Sequence, residues 1–173
     1  VQLRIKDAAR ADVIDQTRRA LAVTRAHGCQ LIVNDIELAI ETGADFIHLG
    51  QEDLETADLG ALRQAGVRFG VSTHDEAELA NALKVNPDYV ALGPIYPTKL
   101  KVMPWAPQGL ERLKLWRRKI GALPLVAIGG LTPDRADGVA DAGANSLAVI
   151  TDFVTAEDPI ARVKEWLAWA AGR

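Results

Sequence analysis

Three stretches of this chain follow one plan. Gly43-Ala44-Asp45-Phe46-Ile47-His48-Leu49-Gly50, Asn86-Pro87-Asp88-Tyr89-Val90-Ala91-Leu92-Gly93 and Gly143-Ala144-Asn145-Ser146-Leu147-Ala148-Val149-Ile150 each carry a Gly or Pro that stops a helix, turn on Asp or Asn, and continue into a short apolar run. A buried strand following a helix stop, repeated along a chain, marks βαβ units with a parallel sheet. Extended by the same pattern, the sequence predicts seven strands, at 1–5, 30–34, 46–49, 68–72, 89–93, 124–128 and 146–150. It predicts seven helices between and after them, at 10–27, 36–42, 58–65, 75–85, 109–121, 132–142 and 158–171. No dinucleotide fingerprint is present, which favours a TIM (β/α)8-type barrel over a doubly wound sheet. Such barrels run to ~250 residues and rarely fall below ~200. This chain has 173 residues and opens directly on a strand, so the expectation is one barrel domain over 1–173 that lacks the first β/α unit. Two alternatives stay open on that expectation: an opened barrel, or a homo-oligomer in which a neighbour supplies the segment.

Composition narrows the function classes. The chain is 49% apolar with a net charge of −3, which suits a globular protein with one substantial core and not a nucleic-acid binder, whose basic excess gathers on one face. The dense basic run Arg112, Lys114, Arg117, Arg118 and Lys119 is spaced as a solvated helix face. Cys29 is the single cysteine, so no internal disulfide can form and a reducing compartment is expected. No apolar run reaches the ~18 residues of a membrane span and no leader pattern is seen. The reading is a cytoplasmic protein with small-molecule substrates.

The polar residues then describe a site. In Gln2-Leu3-Arg4-Ile5-Lys6 a strand directs Gln2, Arg4 and Lys6 to one side and the apolar pair to the other. Two adjacent cations in a barrel mouth call for an anion such as a polyphosphate; the other reading is an exposed amphipathic edge strand. Asn34-Asp35 and Gly50-Gln51-Glu52-Asp53 end two predicted strands, which brings Asp35 and Asp53 within reach of one hard cation such as Mg²⁺. Against this, Asp35 can cap the helix at Ile36 and Asp53 can be a turn residue. The loop Gly93 to Lys101 carries Thr98 and Lys101 among Pro94, Pro97, Pro104 and Pro107. That semi-rigid loop suits stabilising charge on a departing phosphate. Gly129-Gly130 ahead of Thr132-Pro133, and Val149-Ile150-Thr151, offer backbone N–H groups where this fold usually binds phosphate. Ser72-Thr73-His74-Asp75 is no catalytic triad, since adjacent residues cannot adopt that geometry; Ser72 reads as a substrate contact. His27 and His48 read as packing or exposed residues, and Trp105, inside the Pro-rich loop, could cover a ligand.

Taken together, Gln-Leu-Arg-x-Lys at 2–6, Asn34-Asp35, His48-Leu49-Gly50-Gln51-Glu52-Asp53-Leu54, Gly70-Val71-Ser72-Thr73-His74, Ala91 to Thr98, Ala106-Pro107-Gln108-Gly109-Leu110 and Ala127-Ile128-Gly129-Gly130 closely resemble the thiamine phosphate synthase family, in the family's order and over nearly the whole chain. The resemblance implies a transferase that joins a hydroxymethylpyrimidine diphosphate to a thiazole phosphate, giving thiamine phosphate and pyrophosphate through a pyrimidine methyl cation. It also implies roles: Asp35 and Asp53 hold Mg²⁺; Arg4, Lys6, Asn34 and Lys101 contact the diphosphate; Gln2 and Ser72 bind the pyrimidine; Thr98, Gly130, Ile150 and Thr151 line the thiazole phosphate site. Arg4, Lys6, Ser72 and Lys101 are the residues expected to act on the reaction itself. Leu100 stands where many members have a second Thr, and Ile150-Thr151 stands for Val-Ser. Two alternatives accompany this reading: a thiazole tautomerase relative using His74, and a catalytically inactive barrel that binds thiamine phosphates.

Overall fold

The structure is a computed structural model that describes residues 1–98 and 105–173. The described residues form two compact units, one of residues 1–72 with 85–88 and the other of residues 73–84 with 89–173.

In the first unit, β1 (Phe46–Leu49) pairs in parallel with β2 (Arg68–Thr73) over its part in that unit, His48 lying opposite Gly70 and Leu49 opposite Val71. Leu31, Val33, Ile47, Leu49, Phe69 and Val71 are all at most 2% exposed, so these runs form a core that favours folding by roughly 25 cal/mol per Å² of apolar surface. Helices α1 (Arg10–Ala26), α2 (Ile36–Thr42), α3 (Gln51–Thr56) and α4 (Leu59–Gln64) belong to the same unit. α2 begins where Asp35 accepts a bond from Leu38 N and stops at Gly43, whose φ of 75° is the left-handed cap a Gly adopts without a Cβ penalty.

The second unit holds α5 (Glu76–Lys84), β3 (Tyr89–Leu92), α6 (Gly109–Ile120), β4 (Leu125–Ile128), α7 (Pro133–Asp141), β5 (Ser146–Ala148), α8 (Thr151–Val154) and α9 (Pro159–Ala171). β3, β4 and β5 are parallel neighbours, with Leu92 opposite Ala127 and Ile128 opposite Ala148. Val90, Leu92, Leu113, Trp116, Leu125, Ala127 and Val139 are wholly buried. Within this core Trp116 Nε1 donates to Thr73 Oγ1 at 2.8 Å, and Thr73 Oγ1 donates to Ala91 O at 2.9 Å. The buried indole and hydroxyl therefore have partners, as a buried polar group requires.

The parallel α/β plan agrees with the sequence pattern, and two details correct it. The runs 1–5 and 30–34 are not ladder strands; each is extended but paired only through isolated bridges, Gln2 with Ile32 and Val33 with Ile47. Period-two alternation reports an extended chain and does not report how many consecutive residues find a partner. The second correction is α3 and α8, single short helices set directly after strand ends, too brief for an amphipathic period to show.

Candidate functional site

In the first unit several of the expected residues meet, together with His48: Asn34, His48 and Ser72 lie near the C-terminal ends of their extended segments, and Gln2 comes from the start of its own. Gln2 Nε2 donates to Asn34 Oδ1 at 3.1 Å, and Asn34 Nδ2 donates to His48 O at 3.1 Å. His48 Nε2 lies 2.7 Å from Ser72 Oγ, and Gln51 Nε2 donates to Ser72 O at 2.6 Å. One network thus joins Gln2, Asn34, His48, Ser72 and Gln51. Leu3 and Ile5 are half-buried while Gln2, Arg4 and Lys6 are exposed, which is the alternation the sequence predicts. Arg4 and Asp53 both act electrostatically on His48, Arg4 against its protonation and Asp53 in favour of it. The guanidinium and the carboxylate therefore both act on that ring at electrostatic range.

His48 is the functional candidate that sequence reasoning missed. It is the one polar side chain of β1, and burial pushes its imidazole down to about 4 from an ordinary 6.5. A ring held neutral at pH 7 serves as a hydrogen-bond partner that fixes the Ser72 hydroxyl. It does not serve as the base of a Ser–His pair, whose pKa must lie near the working pH.

The two carboxylates sit on helix starts. Asp35 Oδ1 accepts from Leu38 N at 2.5 Å and pairs with Arg10 Nη1 at 3.3 Å, while Arg10 Nη2 reaches Glu41 at 3.2 Å. Asp53 Oδ2 accepts from Gly50 N at 2.9 Å. The capping role open to Asp35 in the sequence is thus real, and Asp53 stands in the first turn of α3 and not in a turn. Each carboxylate uses one oxygen in these bonds; Asp35 Oδ2 and Asp53 Oδ1 have no partner among the described residues. Hard oxygen donors of this kind, two per ion with water and phosphate completing the shell, suit Mg²⁺. No group of three or more metal-ligating side chains occurs among the described residues, so the fit rests on this pair.

In the second unit, Thr98 and Gly130 are half-buried, Ile150 is exposed and caps α8, and Thr151 opens that helix. A Cβ on Gly130 would sit 2.6 Å from Pro97 O, so the loop after β4 packs backbone to backbone against the loop after β3 and admits only Gly there. Asp152, beside Thr151, accepts from Trp166 Nε1 at 2.8 Å and lies 3.7 Å from Arg162 Nε, which ties α8 to α9. His74, the residue of the tautomerase alternative, faces Glu78 at 2.7 Å through Nδ1 and stacks flat on Trp105 with centroids 3.8 Å apart. Lys101, with Lys99 and Leu100, lies outside the described residues. No helix among the described residues is long and apolar enough to cross a membrane.

Known proteins supply an independent comparison. The family model for thiamine monophosphate synthase matches residues 1–153. Thiamine-phosphate synthase of Rhizobium etli is 58% identical over 172 residues, spanning 99% of this chain and 84% of that protein. The Klebsiella pneumoniae protein of the same name is 47% identical, over 98% of this chain and 81% of its own length. Among solved structures, thiamine phosphate pyrophosphorylase from Pyrococcus furiosus superposes with a TM-score of 0.84 at 27% identity, covering 99% of this chain and 82% of that one. The fold class read from the sequence, α/β of the (β/α)-barrel type, agrees with the parallel strands of this structure and with its superposition on the Pyrococcus furiosus protein. A model match over residues 1–153 and a 58% identical relative lead to one conclusion: the chain belongs to the thiamine monophosphate synthase family.

Proposed function

We propose that this chain condenses 4-amino-2-methyl-5-hydroxymethylpyrimidine diphosphate with a thiazole phosphate to give thiamine phosphate and pyrophosphate. The observation that carries this reading is the hydrogen-bonded row Gln2, Asn34, His48, Ser72 and Gln51, with Arg4, Asp35 and Asp53 beside it. It pairs neutral donors and acceptors suited to an aminopyrimidine with charges suited to a diphosphate. Family membership as a transferase of thiamine biosynthesis agrees with it.

In this reading the C–O bond between the pyrimidine methylene and the diphosphate breaks, and its electron pair leaves on pyrophosphate. The thiazole nitrogen lone pair then forms the new C–N bond. Charge must be stabilised on the leaving group and no proton need be removed, so Arg4, Lys6, Asn34 and Lys101 are assigned to the diphosphate oxygens. Gln2 and Ser72 hold the pyrimidine, and His48 orients the Ser72 hydroxyl. Thr98 and the backbone N–H groups at Gly130, Ile150 and Thr151 receive the thiazole phosphate. Asp35 and Asp53 would hold Mg²⁺, which supplies further positive charge toward the diphosphate when bound.

The proposed setting is the cytoplasm, and a homo-oligomer is the proposed assembly, checked by the mass of the protein in solution. The deciding experiment mixes the protein with both substrates and Mg²⁺ and follows thiamine phosphate and pyrophosphate together. Equal formation of the two supports the synthase. Substrate binding with no release of pyrophosphate supports the inactive, binding-only alternative.

A further inference from the structure

Arg135 is the third residue of α7, where a sequence reading would place an exposed helix cation. Its guanidinium instead folds back over the start of its own helix. Nη1 donates to Gly130 O at 2.6 Å, and the guanidinium carbon lies 4.6 Å from the centre of the Tyr96 ring. Arg135 makes no ion pair with a carboxylate among the described residues, so its charge is committed to a carbonyl and a ring face.

These two contacts join two loops. The loop after β3 and the loop after β4 are already knit by Ile95 N to Ile128 O at 2.9 Å and Tyr96 N to Gly129 O at 3.0 Å. Gly129 and Gly130 have φ of 99° and 64°, a conformation open to Gly, in which each peptide plane can turn either way unless something holds it. In a trans peptide the C=O and the following N–H point in opposite directions. Tyr96 N holds the Gly129 carbonyl, so the Gly130 N–H is directed away from Tyr96. Arg135 holds the Gly130 carbonyl, so the Leu131 N–H is directed away from Arg135. Neither N–H donates to an acceptor among the described residues.

We infer that Arg135 is a positioning residue for the thiazole phosphate: by gripping Gly130 O and Tyr96 together it fixes the peptide planes whose N–H groups receive the phosphate. The inference rests on the proposed role of Gly130. It assigns Arg135 no contact with the reacting atoms, and it predicts an effect on one substrate only.

The test is steady-state kinetics of Arg135→Met, which keeps an apolar stem over Tyr96 and removes the donors, with Arg135→Lys and, at the proposed phosphate contact, Thr98→Val as companions. Removing a charged donor from a part-buried carbonyl is expected to raise KM for the thiazole phosphate about tenfold. KM for the pyrimidine diphosphate should stay within about twofold, and the unphosphorylated thiazole alcohol should be used equally well by variant and parent. Arg135→Lys should recover only part of the loss, because one ammonium cannot hold the carbonyl and cover the ring at once. Equal KM increases for both substrates, or a matching loss with the thiazole alcohol, would mean general disruption and would overturn the inference. If Thr98→Val raises KM for the thiazole phosphate and both Arg135 variants match the parent, the phosphate site stands and the role of Arg135 is wrong. If neither position matters, both are wrong.

Discussion

His48 Nε2 and Ser72 Oγ stand 2.7 Å apart across the paired strands β1 and β2. The two residues are 24 positions apart in sequence, and the parallel register that puts His48 opposite Gly70 brings the ring beside the next outward side chain of β2. The contact holds a hydroxyl assigned to the pyrimidine. It also stores a pH dependence.

That dependence has a definite sign. His48 titrates near 6.5 in an unfolded chain and is pushed down to about 4 in the folded one by burial. Between those values the unfolded state binds more protons, so stability is complete above about 6.5 and falls as the pH drops toward 4. The loss amounts to at most about 3 kcal/mol. Urea midpoints measured from pH 7 to pH 4.5 should show the decline, and His48→Gln should flatten it. Parallel curves for the two proteins would remove His48 as the source.

The carboxylate pair is tested by asparagine, which caps a helix nearly as well as aspartate. Asp35→Asn with Asp53→Asn should therefore cost under about 1 kcal/mol of stability while abolishing both Mg²⁺ dependence and Mn²⁺ binding followed by paramagnetic resonance. A double variant that still binds Mn²⁺ with the parent's affinity would show that the ion sits elsewhere.

Lys101→Ala should reduce kcat about a hundredfold or more, the usual cost of losing one donor to developing negative charge. The melting temperature should not move. A kcat within twofold of the parent would end the assignment of Lys101 to the leaving group.

Thr73→Val keeps the shape of the second unit's core and deletes the acceptor of the Trp116 indole N–H. Leaving that buried donor unpaired should cost about 1–3 kcal/mol, read as a lower denaturant midpoint with an unchanged slope. A midpoint equal to the parent's would mean that the indole finds another acceptor.

Much of this was legible in the chain. The repeated helix stop and apolar run located β1, β3 and β5, and strand alternation sorted Gln2, Arg4 and Lys6 from Leu3 and Ile5 although that segment forms only a bridge. Asp35 was legible as a cap because its partner is three residues away. His48 and Arg135 were not, since each takes its role from a residue brought close by the fold: Ser72 for one, Tyr96 and Gly130 for the other. Alone, a histidine in an apolar strand reads as packing and an arginine in a first helical turn reads as surface. The brief helices α3 and α8 escaped for want of length.

The flat stack of Trp105 on His74 gives the protein an optical signal of its own. An imidazole lying 3.8 Å from an indole, with the rings 10° from parallel, is placed to quench that indole's emission, and changing Trp116, Trp166 and Trp169 together to phenylalanine would leave Trp105 as the one emitter. A single-tryptophan protein retaining Trp105 should brighten when the rings part. Substrate-induced rearrangement beside His74 could then be followed in a stopped-flow fluorimeter without any attached dye.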